Sequence, residues 1–205
     1  MKRVIGITGG IASGKSNVCQ VVSDLGYPVI SSDKISMDLS KKDGPMYKAI
    51  VNKFGSEYLD ESGEIDRKKL GRLIFNNSAA KLVLNQATHP IIVEEIKRQI
   101  KELPEGLIFV EIPLLYEAKL EYLCDKIICV FLNKKQQVIR LMEREGIDED
   151  YALAKIHSQM DLYMKKELAD YVINSQGTFE ETREQVINLI PVSYTHLRAH
   201  ETCAD

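Results

Sequence analysis

Short, nearly unbroken apolar runs alternate along this chain with longer stretches whose apolar residues recur at helical spacing. Residues 4–7, 28–30, 107–112, 126–132 and 170–174 are rich in β-branched residues and predict strands. The run from Leu107 to Ile112 is interrupted only by Glu111, which suits a central strand covered on both faces. Helical patterns fill the gaps. One opens near Asn17 and stops at Gly26-Tyr27, one covers 135–145, polar helices follow over 148–166, and Thr178 caps a last helix through Ile190. Such strand–helix alternation predicts an α/β fold with a parallel sheet.

The alternation breaks once, between about residues 34 and 104. Tyr47, Ile50, Val51 and Phe54 repeat at helical spacing, 60–64 is a polar turn, and Asp66 has the place of a cap for a helix carrying Leu70, Leu73 and Ile74. Two further helical patterns, 79–84 and 91–103, are separated near His89-Pro90, where Pro90 either starts the second helix or kinks a longer one. A crossover between parallel strands needs only one helix, so this region reads as a helical insertion suited to a second substrate.

Between the first strand and the first helix lies Gly9-Gly10-Ile11-Ala12-Ser13-Gly14-Lys15-Ser16, which fits G-x-x-x-x-G-K-[ST]. The chemistry of phosphate binding asks for these types. Glycines allow backbone torsions that aim N–H groups inward, and the helix that follows points its own free N–H groups at the same spot. Lys15 supplies a mobile cation for the β- and γ-phosphates, and the Ser16 hydroxyl is the expected Mg²⁺ ligand. A glycine-rich turn that binds nothing accounts for the glycines but not for Lys15-Ser16.

Composition narrows the partners. The 205 residues suit one core with an insertion; 44% are hydrophobic and 28% charged, as in a soluble globular protein. The formal charge of −3 offers no footprint for nucleic acid, and no apolar run is long enough for a membrane. A cytoplasmic monomer is expected, with Cys19, Cys124, Cys129 and Cys203 as reduced thiols, none in a C-x-x-C pair. The segment from Val192 to Thr202 resembles translated transposase-adapter sequence, so residues 192–205 are expected to be a non-native tail. His196, His200, Glu201 and Cys203 would otherwise pass for metal ligands and are expected to bind none.

Several side chains allow more than one reading. Asp33 follows the second strand, where ligands sit in open α/β sheets, yet it equally suits a helix N-cap. Arg140 and Arg144, four apart on a helix, are either solvated ion-pair partners or cations of a lid over a transferring phosphoryl group. His89 reads as a base, a phosphate ligand or a structural histidine, and Glu111 as a metal neighbour or a strand end.

From Lys2 to about Pro191 the chain resembles the dephospho-CoA kinase family. The resemblance rests on the loop from Ile7 to Ser16, on Ser32-Asp33-Lys34-Ile35, Thr88-His89-Pro90 and Ile112-Pro113-Leu114-Leu115-Tyr116-Glu117, on Arg140, Arg144 and Gln159, and on 169–174. It implies a three-layer P-loop NTPase fold with five parallel strands, strand one near the centre. It also implies a kinase core over 1–33, 105–137 and 167–191, a CoA-substrate-binding insertion over 34–104 and a lid over 138–166. The implied reaction is ATP- and Mg²⁺-dependent phosphorylation of the ribose 3′-hydroxyl of dephospho-CoA. Implied ATP contacts are Gly10, Ile11, Ala12, Ser13, Gly14, Lys15, Ser16, Asn17, Arg140 and Arg144. Asp33, His89, Leu115, Tyr116 and Glu117 are implied substrate contacts, with Asp33, Lys15 and Arg140 catalytic. Ser31, Met37 and Glu111 depart from the family's usual aspartate, arginine and aspartate, and the final helix is expected to be short. Another nucleoside or nucleotide kinase would share the loop and lid but lack the Thr-His-Pro and Ile-Pro-Leu-Leu segments. An NTP-binding switch would need neither the insertion nor the arginines.

Overall fold

A computed structural model describes the backbone of residues 1–199 and the side chains of residues 1–190. In chain order the elements are β1 (Lys2–Gly9), α1 (Lys15–Asp24), β2 (Val29–Ser31), α2 (Ser32–Leu39), α3 (Pro45–Phe54), α4 (Arg67–Asn76) and α5 (Ser78–Glu102). They are followed by β3 (Gly106–Glu111), β4 (Lys126–Phe131), α6 (Lys134–Glu145), α7 (Glu149–His157), α8 (Leu162–Leu168), β5 (Tyr171–Asn174) and α9 (Phe179–Ala199). The chain divides into two compact units, one of residues 1–30 with those from 104 onward, the other Ser31–Leu103.

The five strands form one sheet in the order β2-β3-β1-β4-β5, with β1 in the middle. β1 runs parallel to β3, from Lys2↔Gly106 to Ile7↔Glu111, and to β4, from Ile5↔Lys126 to Gly9↔Val130. β4 runs parallel to β5. Two aspartates pin the strand starts: Val4 N donates to Asp125 Oδ2 (2.7 Å) and Ile127 N to Asp170 Oδ2 (2.8 Å). On one face Ile5, Ile7, Phe109, Ile128 and Val130 pack with Val18, Val21 and Val22 of α1 and Val186 and Ile190 of α9. On the other, Cys129, Phe131 and Leu132 pack with Leu162 of α8. The apolar runs are unbroken because both faces of these strands are covered. Truncating fully buried Phe109 to alanine would cost about 3–5 kcal/mol.

In the second unit Ile50, Ile65 and Leu70 form a core edged by Tyr47, Phe54, Tyr58 and Leu84. Asp66 caps α4 by accepting from Lys69 N (2.9 Å), and Asn77 caps α5 by accepting from Ala80 N (3.0 Å). Of the two readings of Pro90, a second helix start is excluded: α5 is one helix of 25 residues with Pro90 inside it. Proline removes the donor to the carbonyl four residues earlier, that of Gln86. Gln86 is exposed, so water can satisfy that carbonyl, and Thr88 Oγ1 donates to Leu84 O (2.8 Å) in the same turn.

Thr178 starts α9 with a capping box: Glu181 N donates to Thr178 Oγ1 (3.2 Å) while Thr178 N donates to Glu181 Oε2 (2.7 Å). The helix continues to Ala199, beyond the Ile190 expected from the sequence. The suspected metal-like set His196, His200, Glu201 and Cys203 lies outside the residues whose side chains are described.

Candidate active site

β1 delivers the chain to a tight loop that ends at Gly14, the N-cap of α1, whose φ of 89° is left-handed. Close approach fixes two of the other glycines. A Cβ at Gly9 would lie 2.6 Å from Val130 O, and one at Gly10 would collide with Gln137 Nε2. Ala12 adopts a left-handed φ of 59° without being glycine, a conformation costing on the order of 1 kcal/mol. Side chains from α6 and from the segment after α7 hold it there. Ile11 N donates to Gln159 Oε1 (3.0 Å), and Ile11 O accepts from Gln137 Nε2 (2.7 Å). Ile11 and Ala12 also pack against Val138, Leu141 and Ala152.

Lys15 Nζ donates to Gly10 O (2.8 Å), so the cation spans the loop. Ser16 and Asn17 are exposed in the first turn of α1. Ser13 is buried; its carbonyl accepts from Ser175 Oγ (2.6 Å), and its own Oγ has no protein partner. The two candidate arginines separate. Arg140 Nη2 donates to Ser175 O (2.8 Å), and its Nη1 lies 3.8 Å from where a Cβ of Gly14 would be. Arg144 is exposed and pairs with Glu145 (2.7 Å), which also binds Lys155. The structure thus brings Arg140 to the loop, while the Arg144 guanidinium pairs with Glu145. Glu111 ends β3, and its charge reaches Cys19, one turn along α1 from Lys15. Burial, with Glu111 adding to it, pushes the Cys19 thiol up to about 12.

The segment after β3 is held from beneath. Thr8 Oγ1 (3.2 Å) and Lys165 Nζ (2.8 Å) both donate to Pro113 O. Lys165, fully buried, also pairs with Glu117 at 2.8 Å, and the same Glu117 oxygen accepts from Met160 N (2.9 Å). Removing one partner of such a pair costs about 3–5 kcal/mol, because the other charge stays buried. Glu117 Oε1 is thereby committed to internal partners, while its Oε2 is buried without a protein partner. Leu115 is fully buried against Gly6, and Tyr116 is nearly so, its hydroxyl lacking a protein partner and its pKa raised by burial. Neither side chain offers the surface that the expected substrate contact requires in this conformation.

Asp33 and His89 belong to the other unit. Asp33 is an exposed first-turn residue of α2, and the cap is Ser31, whose side chain accepts from Lys34 N (3.5 Å). The capping role open to Asp33 in the sequence is therefore already filled. His89 lines a cavity of about 310 Å³ with Ser40, Ile50, Arg67, Leu70 and Thr88. Arg67 Nη2 donates to Ser40 Oγ (2.6 Å), and burial lowers the His89 pKa.

Sequence reasoning missed Gln137, Ser175 and Lys165. Gln137 and Lys165 fall on buried faces, at helical spacing from Leu141 and Leu162, and a polar residue breaking an apolar stripe was the available signal. Among the described residues no group of three or more His, Cys, Asp or Glu side chains is arranged to hold a metal, and no helix is long and apolar enough to cross a membrane.

The sequence profile of the dephospho-CoA kinase family matches residues 3–181. A dephospho-CoA kinase of Carboxydothermus hydrogenoformans is 44% identical over 190 residues, covering 91% of this chain and 92% of that one. One from Bacillus cereus is 45% identical over 190 residues, covering 91% and 94%. The solved dephospho-CoA kinase of Campylobacter jejuni superposes with a TM-score of 0.68 at 32% identity, covering 93% of this chain and 96% of its own. With the loop, its lysine and the parallel sheet in place, this likeness over nearly the whole length settles the matter of descent: the chain belongs to the dephospho-CoA kinase family.

Proposed function

We propose that this protein transfers the γ-phosphoryl group of ATP to the ribose 3′-hydroxyl of dephospho-CoA, giving CoA and ADP, the last step of CoA synthesis. The observation that carries the reading is the phosphate loop with Lys15 drawn across it, in a chain of this family. Phosphoryl transfer asks little covalent work of a protein and much positioning and charge stabilisation. The loop and the N-terminus of α1 hold the phosphates, and Lys15 exchanges the Gly10 carbonyl for phosphate oxygens. Arg140, beside Gly14, adds a second cation toward the transferring group. The 3′-oxygen forms its bond to the γ-phosphorus, the bond to the β-bridging oxygen breaks, and Asp33 takes the hydroxyl proton. The support for Asp33 is its place after the second strand in the family's pattern, an exposed carboxylate, and a helix cap supplied by Ser31 instead.

Ser16 is the residue to hold Mg²⁺. Its exposed hydroxyl beside Lys15 suits a hard cation that keeps most of its waters and takes few protein ligands. When bound, the ion neutralises charge on the β- and γ-phosphate oxygens. The cavity of the insertion, apolar with Arg67 and His89 among its walls, suits the pantetheine arm of the acceptor. The three cysteines among the described residues are unpaired, which suits a reducing compartment, and we assign the enzyme to the cytoplasm as a monomer, which sedimentation would check.

The test is ADP release with dephospho-CoA, adenosine, uridine or AMP as acceptor. Turnover with dephospho-CoA alone is expected. Comparable rates with AMP or uridine would make the protein a nucleotide or nucleoside kinase instead.

A further inference from the structure

We propose that Gln137 and Gln159 are positioning residues that fasten the tip of the phosphate loop in its anion-binding shape, so that the helices over the loop set its affinity for nucleotide. The inference rests on the reading of this loop as the ATP site and adds what fixes the loop's form.

The loop needs fixing because it carries a left-handed residue, Ala12, that is not glycine. Left alone, an alanine relaxes toward negative φ. Its neighbour Ile11 is gripped by both of its backbone polar groups, the carbonyl by Gln137 and the N–H by Gln159. The directions follow from chemistry rather than from how an amide is oriented. A carbonyl can only accept and an N–H can only donate, so Gln137 must present its NH₂ and Gln159 its oxygen. Gln137 is buried at 3% exposure, where an unmade bond is costly, and its nitrogen is also what excludes a Cβ from Gly10.

The second amide is itself braced. Met160, next to Gln159, donates its N–H to Glu117, which Lys165 pins while also reaching Pro113 O, an acceptor shared with Thr8 of β1. Polar contacts therefore lead from the end of β1, through the buried lysine, to Gln159 and back to the loop that β1 feeds. One consequence is that the Ile11 N–H is withheld from the phosphates and serves the loop's shape.

The test uses full-length protein carrying Gln159→Met, Gln159→Glu, Gln137→Met or Gln137→Glu. Amide exchange at Ile11 is followed by NMR without nucleotide, and ATP binding by calorimetry without acceptor. Methionine keeps the length of either side chain and removes the bond. Gln159→Met is expected to speed exchange at Ile11 and weaken ATP about fivefold to tenfold, the size of one hydrogen bond. Gln137→Met should weaken ATP similarly, and the KM for dephospho-CoA should hardly move in either. The two glutamates should then diverge. Gln159→Glu still offers an acceptor and keeps the Ile11 amide protected, whereas Gln137→Glu sets a carboxylate against a carbonyl and loosens the loop. Wild-type exchange and affinity in Gln159→Met, or like behaviour of the two glutamates, would overturn the proposal. A wild-type protein that binds ATP but does not phosphorylate dephospho-CoA would instead overturn the functional reading and leave the latch standing.

Discussion

The phosphate loop and the cavity of the helical insertion are assigned here to the two substrates of one reaction, and they are built in opposite ways. In the loop the determinants are backbone: a left-handed glycine, close approaches that exclude a Cβ, carbonyls of Gly10, Ile11 and Ser13 each taken by a named donor. In the insertion they are side-chain volume, apolar walls around about 310 Å³ with Arg67 and His89 among them. A compact polyanion is best held by fixed dipoles that need no rearrangement when charge develops. A long, flexible acceptor arm needs mainly an apolar trough with a few polar guides. Backbone geometry leaves a short motif in a sequence, and a trough leaves scattered residues.

Four experiments would break or sharpen this contrast. The largest effect is expected from Asp33→Asn, which assigns chemistry to the insertion's side of the comparison. Ser31 provides the cap, so the variant should melt like wild type and bind ATP, yet lose roughly 10²–10⁴ in turnover, the usual contribution of a general base. Wild-type turnover in a steady-state assay would send the search for a base to His89 or Glu111. Next comes Lys15→Ala, which empties the loop of its cation and should cost about 10² or more in kcat with the fold kept. Near-normal kcat at saturating ATP would contradict the loop's role. A more modest change is expected in hydrogen exchange across residues 138–162, which should slow when ATP and acceptor bind together, if these helices act as a lid. Unchanged exchange with binding confirmed would make them a fixed wall.

The smallest effect concerns pH. Burial lowers the His89 pKa, so the unfolded chain takes up this proton first as acid is added. Stability from keeping His89 neutral is complete above the ordinary histidine pKa of about 6.5 and declines as pH falls through the lower folded value. Melting followed from pH 7.5 to 5 should show a shallower decline in His89→Gln than in wild type. Identical profiles would remove His89 as the titrating group.

The sequence made the loop and the sheet legible because each has a local rule. The glycine spacing marks Gly9 to Ser16, and unbroken β-branched runs mark strands covered on both faces. Pro90 left a helix start and a longer helix undecided, because proline's local rule, a break, is overridden where the freed carbonyl can reach water. The ion pair of Glu117 was not legible because an acid after an apolar loop carries no sign of its partner, and Lys165 lies 48 residues further on, hidden in a helix that reads as polar. Gln137 escaped for the same reason: its partner is a backbone carbonyl 126 residues away, which has no letter in the sequence.

The described cysteines carry a consequence for an enzyme that handles thiols. Both the proposed acceptor and its product end in a sulfhydryl, and oxidised forms of either would exchange with any protein thiolate within reach. Burial pushes Cys19 and Cys124 up to about 12 and Cys129 up to about 11. At neutral pH these sulfurs therefore stay protonated, and the thiolate is the form that attacks a disulfide. The protein can work among CoA disulfides without exchanging with them through these sulfurs, so CoA mixed disulfides should not accumulate on these three positions even in an oxidised pool.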